Sequence, residues 1–505
     1  MGKVKFQITT ELVILVLILG LAAFFRLYNI QGYMTFLGDE GRDAIVVSRL
    51  LLYADPILVG PGTSIGNMYL GPLYYYFMAP WLWLFGYNPV GPAVGIAFLG
   101  IATVMLVYTV AREWWGKTAA LVSSLLYAIA PVVIIYSHSS WNPNIMPFFA
   151  LLTVYSIWKA WISRNYKWFL LTGVAFGVVL QSHYLGLLLL PVIAIFWLLG
   201  LFYERKRNPI YYIRYTIYAG VLFALLMSPL VIFDARHGWR NFEAIKLFFT
   251  ERQTTVSIRP WTSFSKLIPL GQQIMTELVS AKNAVVGNLV LAVLLAPLFW
   301  LIKAKKKTVS TKSQSAFLLC LIWIFSALVG FGLYKQHIYA HYYGFIFAAP
   351  FLLIGGISQQ LVDKWPIRGK SLVIVGVLIL IALNLLDNPL RYSPNNQLGR
   401  TIDVAAAIQN YSNDKPFNLA VIAERNYDAA YKYFLLKDNT KVVDIDPQKT
   451  DETITDQLFV VCEMPEEKCD PTHNPKAEVA NFGWSKIENQ WNINGVIVYK
   501  LVHSQ

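Results

Sequence analysis

Apolar runs of eighteen or more nearly uncharged residues recur along this chain, and they restrict its fold more than any other feature. The stretch ELVILVLILGLAAFFRLYNI (11–30) is one of them. About 20 helical residues cover the ~30 Å hydrocarbon core of a bilayer. Inside that core a backbone satisfies its own polar groups only as a helix or a closed barrel. Composition agrees: 56% of the 505 residues are hydrophobic and 14% charged, against about a quarter charged in soluble domains. The expected fold class is therefore mainly α, a polytopic membrane protein. The first apolar run is too long for a cleavable signal, and no small-residue cleavage site follows it, so it is expected to stay as the first helix.

Eleven spans are expected, at about 11–30, 90–111, 117–137, 145–162, 167–182, 185–203, 211–232, 284–302, 316–334, 343–361 and 371–388. Lys and Arg concentrate in cytoplasmic loops. Lys3 and Lys5 place the N-terminus in the cytoplasm, and eleven spans then put the basic loops 111–117, 163–167, 203–209, 303–307 and 363–370 on the same side. A twelfth span at YLGPLYYYFMAPWLWLFG (69–86) would move all five outside. Residues 72–86 are therefore read as an aromatic helix at the outer interface, where Tyr and Trp favour the headgroup level. The first outer loop runs over 31–89.

A second outer loop, 233–283, carries Arg236, Arg240, Lys246, Arg252, Arg259, Lys266 and Lys282 against four acids. That excess outside suggests either a phosphate-bearing ligand or a solvated face. The overall charge of +13 follows from basic cytoplasmic loops and contact with anionic membrane lipids, so no nucleic acid is expected.

Residues 1–390 form the expected membrane domain and 391–505 a soluble one on the extracytoplasmic side, the N-terminus being cytoplasmic in a multi-pass cell (plasma) membrane protein. In the soluble part TIDVAAAIQNY (401–411) has helical spacing, while 418–424, 458–463 and 495–502 read as strands of a small α/β domain with DAAYKYFLL as a crossover helix. Outside the cytoplasm a Cys462–Cys469 disulfide is chemically allowed; Cys320 lies in an apolar span. The chain has no Gly-rich nucleotide loop, no heptads and no inverted repeat.

The sharpest polar feature is GDEGRDA (38–44), beside the first span. In a helix starting at Gly38, Asp39, Arg42 and Asp43 share one face, continued by Val47 and Leu51. A carboxylate there could act as general base towards an acceptor hydroxyl, and Arg42 could hold it ionised or clamp a phosphate. A helix N-terminus with acids in its first turn has the same pattern.

Around this motif the pieces fall in an order: Arg26-Leu27 ending the first span, Asp39-Glu40-x-Arg42, Gly-Pro-Leu-Tyr (71–74), and Ala-Arg-x-x-x-Gly (111–116). The order resembles the GT-C membrane glycosyltransferases, in the branch of protein O-mannosyltransferases, aminoarabinose transferases and rhizobial-type lipopolysaccharide glycosyltransferases. The resemblance implies a polyprenyl-phosphate sugar donor, a lipid, glycan or protein acceptor, and inversion at the anomeric carbon. It makes Asp39 the expected base, with Glu40 beside it and Arg42 and Asp43 supporting the site. Relatives carry a further acid where this chain has Tyr69, Leu70 and Gly71, and an acid where it has Asn142. A divalent metal is therefore left open and no cofactor is assigned.

Further polar residues cluster at outer helix ends: His138, Asn142 and Asn144 in YSHSSWNPNIMP; His183 in QSHYLG; Arg236, His237 and Arg240 in FDARHGWRNFEA; and Lys335, His337 and His341 in YKQHIYAHYYG. Polar groups at such depths point to a substrate path. Arg236 and Arg240 are the expected phosphate ligands. The pair His337 and His341 has a zinc-compatible spacing if helical. The expected function is transfer of a sugar from a polyprenyl-phosphate donor on the extracytoplasmic face. The alternative is a transporter or flippase of a lipid-linked anion, which would carry its ionisable residues at mid-bilayer on broken helices.

Overall fold

The computed structural model describes residues 9–63, 68–250, 255–257, 259–298 and 312–504. Lys3, Lys5, Arg252 and the basic loop 303–307 lie outside the described residues. Among the described residues seven helices are long and apolar enough to cross a membrane: α1 (Thr10–Leu27), α4 (Val90–Trp114), α6 (Met146–Ser163, within Asn142–Ser163), α8 (Leu190–Glu204, within Tyr184–Glu204), α9 (Pro209–Arg236), α13 (Lys312–Leu333) and α15 (Arg368–Leu386). A bent pair, Ala340–Ile346 and α14 (Ala348–Lys364), turns by 53° at its break. Shorter apolar helices, α5 (Lys117–Ile129), α7 (Trp168–Ser182) and α12 (Ala284–Leu294), lie at the remaining expected positions. The expected run 117–137 is not one helix. It breaks at Ala130, because Pro131 has no N–H to continue the ladder.

The expected long loops are largely helical. α2 (Gly38–Tyr53) and α3 (Leu73–Leu84) fill the first. The second holds α10 (Arg240–Thr250) and α11 (Leu267–Leu278), after α9 has run on to Arg236. The N-terminus of α2 is set locally: Leu37 is extended and Glu40 turns back to accept its N–H at 3.0 Å. Asp39 and Glu40 in the first turn also face the positive end of the helix dipole. Tyr74 and Tyr75 of α3 pack inward, while Trp83 and Leu84 are exposed.

The C-terminal part holds α16 (Gln397–Tyr411), β1 (Asn418–Ile422), α17 (Ala429–Lys437), β2 (Gln457–Cys462), β3 (Ser485–Ile493) and β4 (Val496–His503). The sheet order is β1-β2-β4-β3, with β1 and β2 parallel and the rest antiparallel. α17 lies in the crossover between the parallel strands, as its position between two buried apolar runs suggested. Strand β3 was not foreseen; SKIENQWNI is mostly exposed at the sheet edge and has no apolar face to announce it. The Cys462–Cys469 disulfide is formed.

The C-terminal part does not hang free. One hydrophobic cluster joins Phe36, Ala44 and Val47 around α2 and Tyr74, Tyr75 and Met78 of α3 to Leu398, Tyr431, Tyr433 and Phe434. Two glycines permit the approach. A Cβ at Gly41 would stand 2.4 Å from the Ala429 carbonyl oxygen and 2.5 Å from Ala430 Cα, and one at Gly38 would fall 2.2 Å from the Tyr427 ring. The glycines of GDEGRDA are thus where α17 and the loop before it rest on α2.

Candidate active site

On α2, Arg42 bridges two carboxylates. Its Nη1 donates to Asp39 Oδ1 at 2.9 Å, and its Nε and Nη2 donate to Asp43 Oδ1 at 3.0 and 2.8 Å. Asp39 and Asp43 sit on either side of the arginine, as the helical spacing predicted. Their surroundings differ sharply. Asp43 is fully buried, also accepts the Tyr75 hydroxyl at 3.2 Å, and has a carboxyl pushed up to about 6 by burial, which outweighs the opposing pull of Arg42. Glu40 is buried too, and burial pushes its carboxyl up to about 8. Asp39 alone of the three keeps an open side chain, 42% exposed.

Asp39 and Glu40 line a cavity of about 240 Å³ with Thr35, Leu37, Ile135, Tyr136, Ser139, Trp141, Asn144, Arg425 and Tyr427. The last two come from the soluble part. Tyr427 donates its hydroxyl to Asp39 Oδ1 at 2.9 Å, across 388 residues of sequence. The loop that carries it is pinned: Glu463, directly after β2, accepts Asn426 Nδ2 at 2.6 Å and the Tyr431 hydroxyl at 2.5 Å. A second cavity, about 460 Å³, is lined by Arg42, Arg49, Tyr69, Tyr75 and Phe233 among others.

The remaining sequence-predicted residues divide into three groups. Asn144 lines the first cavity, and His341 stacks behind its wall, 4.6 Å from the Trp141 ring and 6.0 Å from Tyr136, with the His183 ring 6.3 Å beyond. Tyr69 lines the second cavity. The others lie elsewhere. His138 is buried, its Nε2 at 2.8 Å from the Phe25 carbonyl oxygen, which ties the C-terminal end of α1. Asn142 donates to the Ser182 carbonyl at 2.7 Å and starts a 3-10 turn before α6, as a helix-start reading of Asn-Pro anticipates. Arg236, His237 and Arg240 are exposed and line neither cavity. Their loop is organised instead by Asp234, which accepts the N–H groups of Asn241 and Phe242 at 2.7 and 2.9 Å and so caps α10. Lys335 and His337 are likewise exposed and outside both cavities. Sequence reading singled out neither Tyr427, which bonds Asp39, nor Arg425, which lines the same cavity.

The donor set does not fit a divalent metal. Asp39 and Asp43 both turn onto Arg42, and Glu40 turns onto the backbone of Leu37. His337 precedes the 3-10 turn that carries His341, so the two do not share a helical face. Among the described residues no group of three or more His, Cys, Asp and Glu could hold a metal ion.

Residues 70–233 match the family described as dolichyl-phosphate-mannose-protein mannosyltransferase. YkcB of Bacillus subtilis (strain 168) is 27% identical over 108 residues, which is 21% of this chain and 15% of that protein's length. Among solved structures, ArnT from Cupriavidus metallidurans bound to undecaprenyl phosphate superposes with a TM-score of 0.63 at 12% identity, over 96% of this chain and 97% of that one. The oligosaccharyltransferase AglB from Archaeoglobus fulgidus, in complex with an inhibitory peptide and a dolichol-phosphate, gives 0.52 at 14% identity over 86% and 64%. Arabinofuranosyltransferase AftD from Mycobacteria gives 0.54 at 12% identity over 98% and 40%. The chain thus shares the fold of these membrane glycosyltransferases over nearly its whole length, and residues 70–233 match the mannosyltransferase family.

Proposed function

We propose that the protein moves a sugar from a polyprenyl-phosphate carrier to an acceptor hydroxyl or amine on a lipid, glycan or protein, at the extracytoplasmic face, with Asp39 as general base. One observation carries this reading: Asp39 is the open carboxylate on a cavity wall, held by Arg42 and Tyr427. Both hydrogen bonds fall on Oδ1. Oδ2 is left to take the acceptor's proton as its oxygen or nitrogen attacks the anomeric carbon. The bond from that carbon to the phosphate oxygen breaks, and the phosphate leaves with the electron pair. The lipid phosphates bound to ArnT and AglB support the donor class.

A transporter of the same lipid would need its ionisable groups within the spans, whereas the acids here sit on α2, outside them. In the purified full-length protein, Asp39→Asn should lower transfer from a panel of polyprenyl-phosphate sugars by about 10²- to 10⁴-fold, the usual worth of a general base. Near wild-type turnover by a folded Asp39→Asn protein would overturn the assignment.

A further inference from the structure

We propose that the soluble domain completes this catalytic centre: Arg425 binds the phosphate of the lipid-borne donor, and Tyr427 of the same loop is the positioning residue for Asp39. The inference rests on the functional reading above and adds the ligand of its leaving group.

The charges around Asp39 lead to Arg425. Arg42, the nearest guanidinium, spends three donors on Asp39 and Asp43. Arg49, on the second cavity, faces Asp55 at 3.7 Å. Arg425 lines the Asp39 cavity and has no carboxylate within ion-pair distance among the described residues. The other lining residues supply two acids, hydroxyls, an amide, aromatic rings and two aliphatic side chains, so Arg425 brings the positive charge to this wall. A phosphate that gains charge as it leaves requires a cation already in place, and a guanidinium's planar fork matches phosphate oxygens.

The loop is built to hold that position. It follows β1 at the carboxyl edge of the parallel pair β1–β2, where open α/β sheets take their ligands. Glu463 at the same edge grips Asn426, Asn426 Oδ1 accepts the Tyr427 N–H at 2.9 Å, and the Tyr427 ring lies against Gly38. Arg425 is thus fixed two residues from the tyrosine that holds the base. The wall opposite includes Ile135, an exposed apolar residue at the end of a membrane helix segment, which suits a ligand that is part phosphate and part hydrocarbon.

The test uses the full-length protein in lipid nanodiscs, titrated with undecaprenyl phosphate and, separately, with uncharged undecaprenol. Arg425→Gln should weaken undecaprenyl phosphate binding at least tenfold and leave undecaprenol binding unchanged, with part of the loss recovered in Arg425→Lys. Tyr427→Phe should lower kcat while leaving undecaprenyl phosphate affinity intact. If wild type binds the phosphate and Arg425→Gln binds it equally well, this inference fails while the functional reading stands. Equal loss of both ligands overturns it too, since that marks a disturbed fold. A rise in acceptor KM with unchanged lipid affinity overturns it by moving Arg425 to the acceptor side. Wild-type protein that binds no undecaprenyl phosphate overturns the functional reading and this inference together.

Discussion

Adding one methyl group at Gly41 should separate the soluble domain from the helix that carries Asp39. In an exposed helix interior, Gly to Ala stabilises by about 1 kcal/mol, so the intrinsic preference favours the substitution. Packing opposes it. The new Cβ would lie 2.4 Å from the Ala429 carbonyl oxygen, whereas ordinary contact begins at 3.4 Å. The obstacle is backbone of α17, which cannot rotate away, so α2 and α17 must part by about 1 Å. Overpacking of this kind costs about 1–3 kcal/mol, and the displacement falls two residues from Asp39. A misplacement of about 1 Å at a reacting group can lower turnover by about 100-fold. Gly220, inside α9, is the control, because a Cβ there meets nothing within 4 Å. Thermal unfolding in detergent and a transfer assay read both effects. Gly41→Ala should lose melting temperature and about two orders of magnitude in turnover, while Gly220→Ala loses neither. Wild-type stability and turnover in Gly41→Ala would refute the claim that this close approach sets the position of the base.

Glu40 provides a pH test. Its carboxyl rises from an ordinary 4.5 to about 8 in the folded state because burial disfavours the charge, so its contribution to stability is full below pH ~4.5 and is lost as pH rises through about 8. Glu40→Gln keeps a neutral side chain that can still accept the Leu37 N–H, and melting curves from pH 5 to 9 should show a shallower alkaline decline than wild type; equal slopes would refute the burial argument. Removing the disulfide as Cys462→Ser/Cys469→Ser should destabilise the soluble domain by about 2–3 kcal/mol, from a loop closed over a separation of 7 residues. Because Glu463 adjoins Cys462, turnover should fall as well, and a stability loss with unchanged turnover would show that the Glu463 contacts do not depend on the bridge.

The membrane helices were legible because burial in hydrocarbon imposes a single requirement on every residue of a span. Helix α2 and its Asp39–Arg42–Asp43 face were legible for a similar reason, since a spacing of three or four residues fixes neighbours without tertiary information. The parallel strands β1 and β2 were visible as short buried apolar runs. What sequence could not show was what depends on distant partners. His138 and Asn142 read in sequence as residues of a substrate path, and in the structure each bonds a backbone carbonyl, 113 and 40 residues away respectively. Arg236 and Arg240 stand in a basic cluster, but the sequence carries no sign that Asp234 caps the next helix while both arginines stay off the two cavity walls. Arg425 and Tyr427 sit in an ordinary polar stretch, AERNYD, and acquire their meaning only when α17 lands on the two glycines of α2.

The bond between Tyr427 and Asp39 also orders events in the life of each molecule. A growing polypeptide delivers its N-terminal helices first, so Asp39 takes its place at the membrane surface while the ribosome has still to make most of the chain. Throughout that interval the acid lacks its phenol, its cavity lacks a wall, and the proposed catalyst is incomplete. Only after the sheet has formed at the other end of the sequence, and settled on Gly38 and Gly41, does the centre exist. Chains truncated during synthesis would therefore occupy the membrane without the proposed activity.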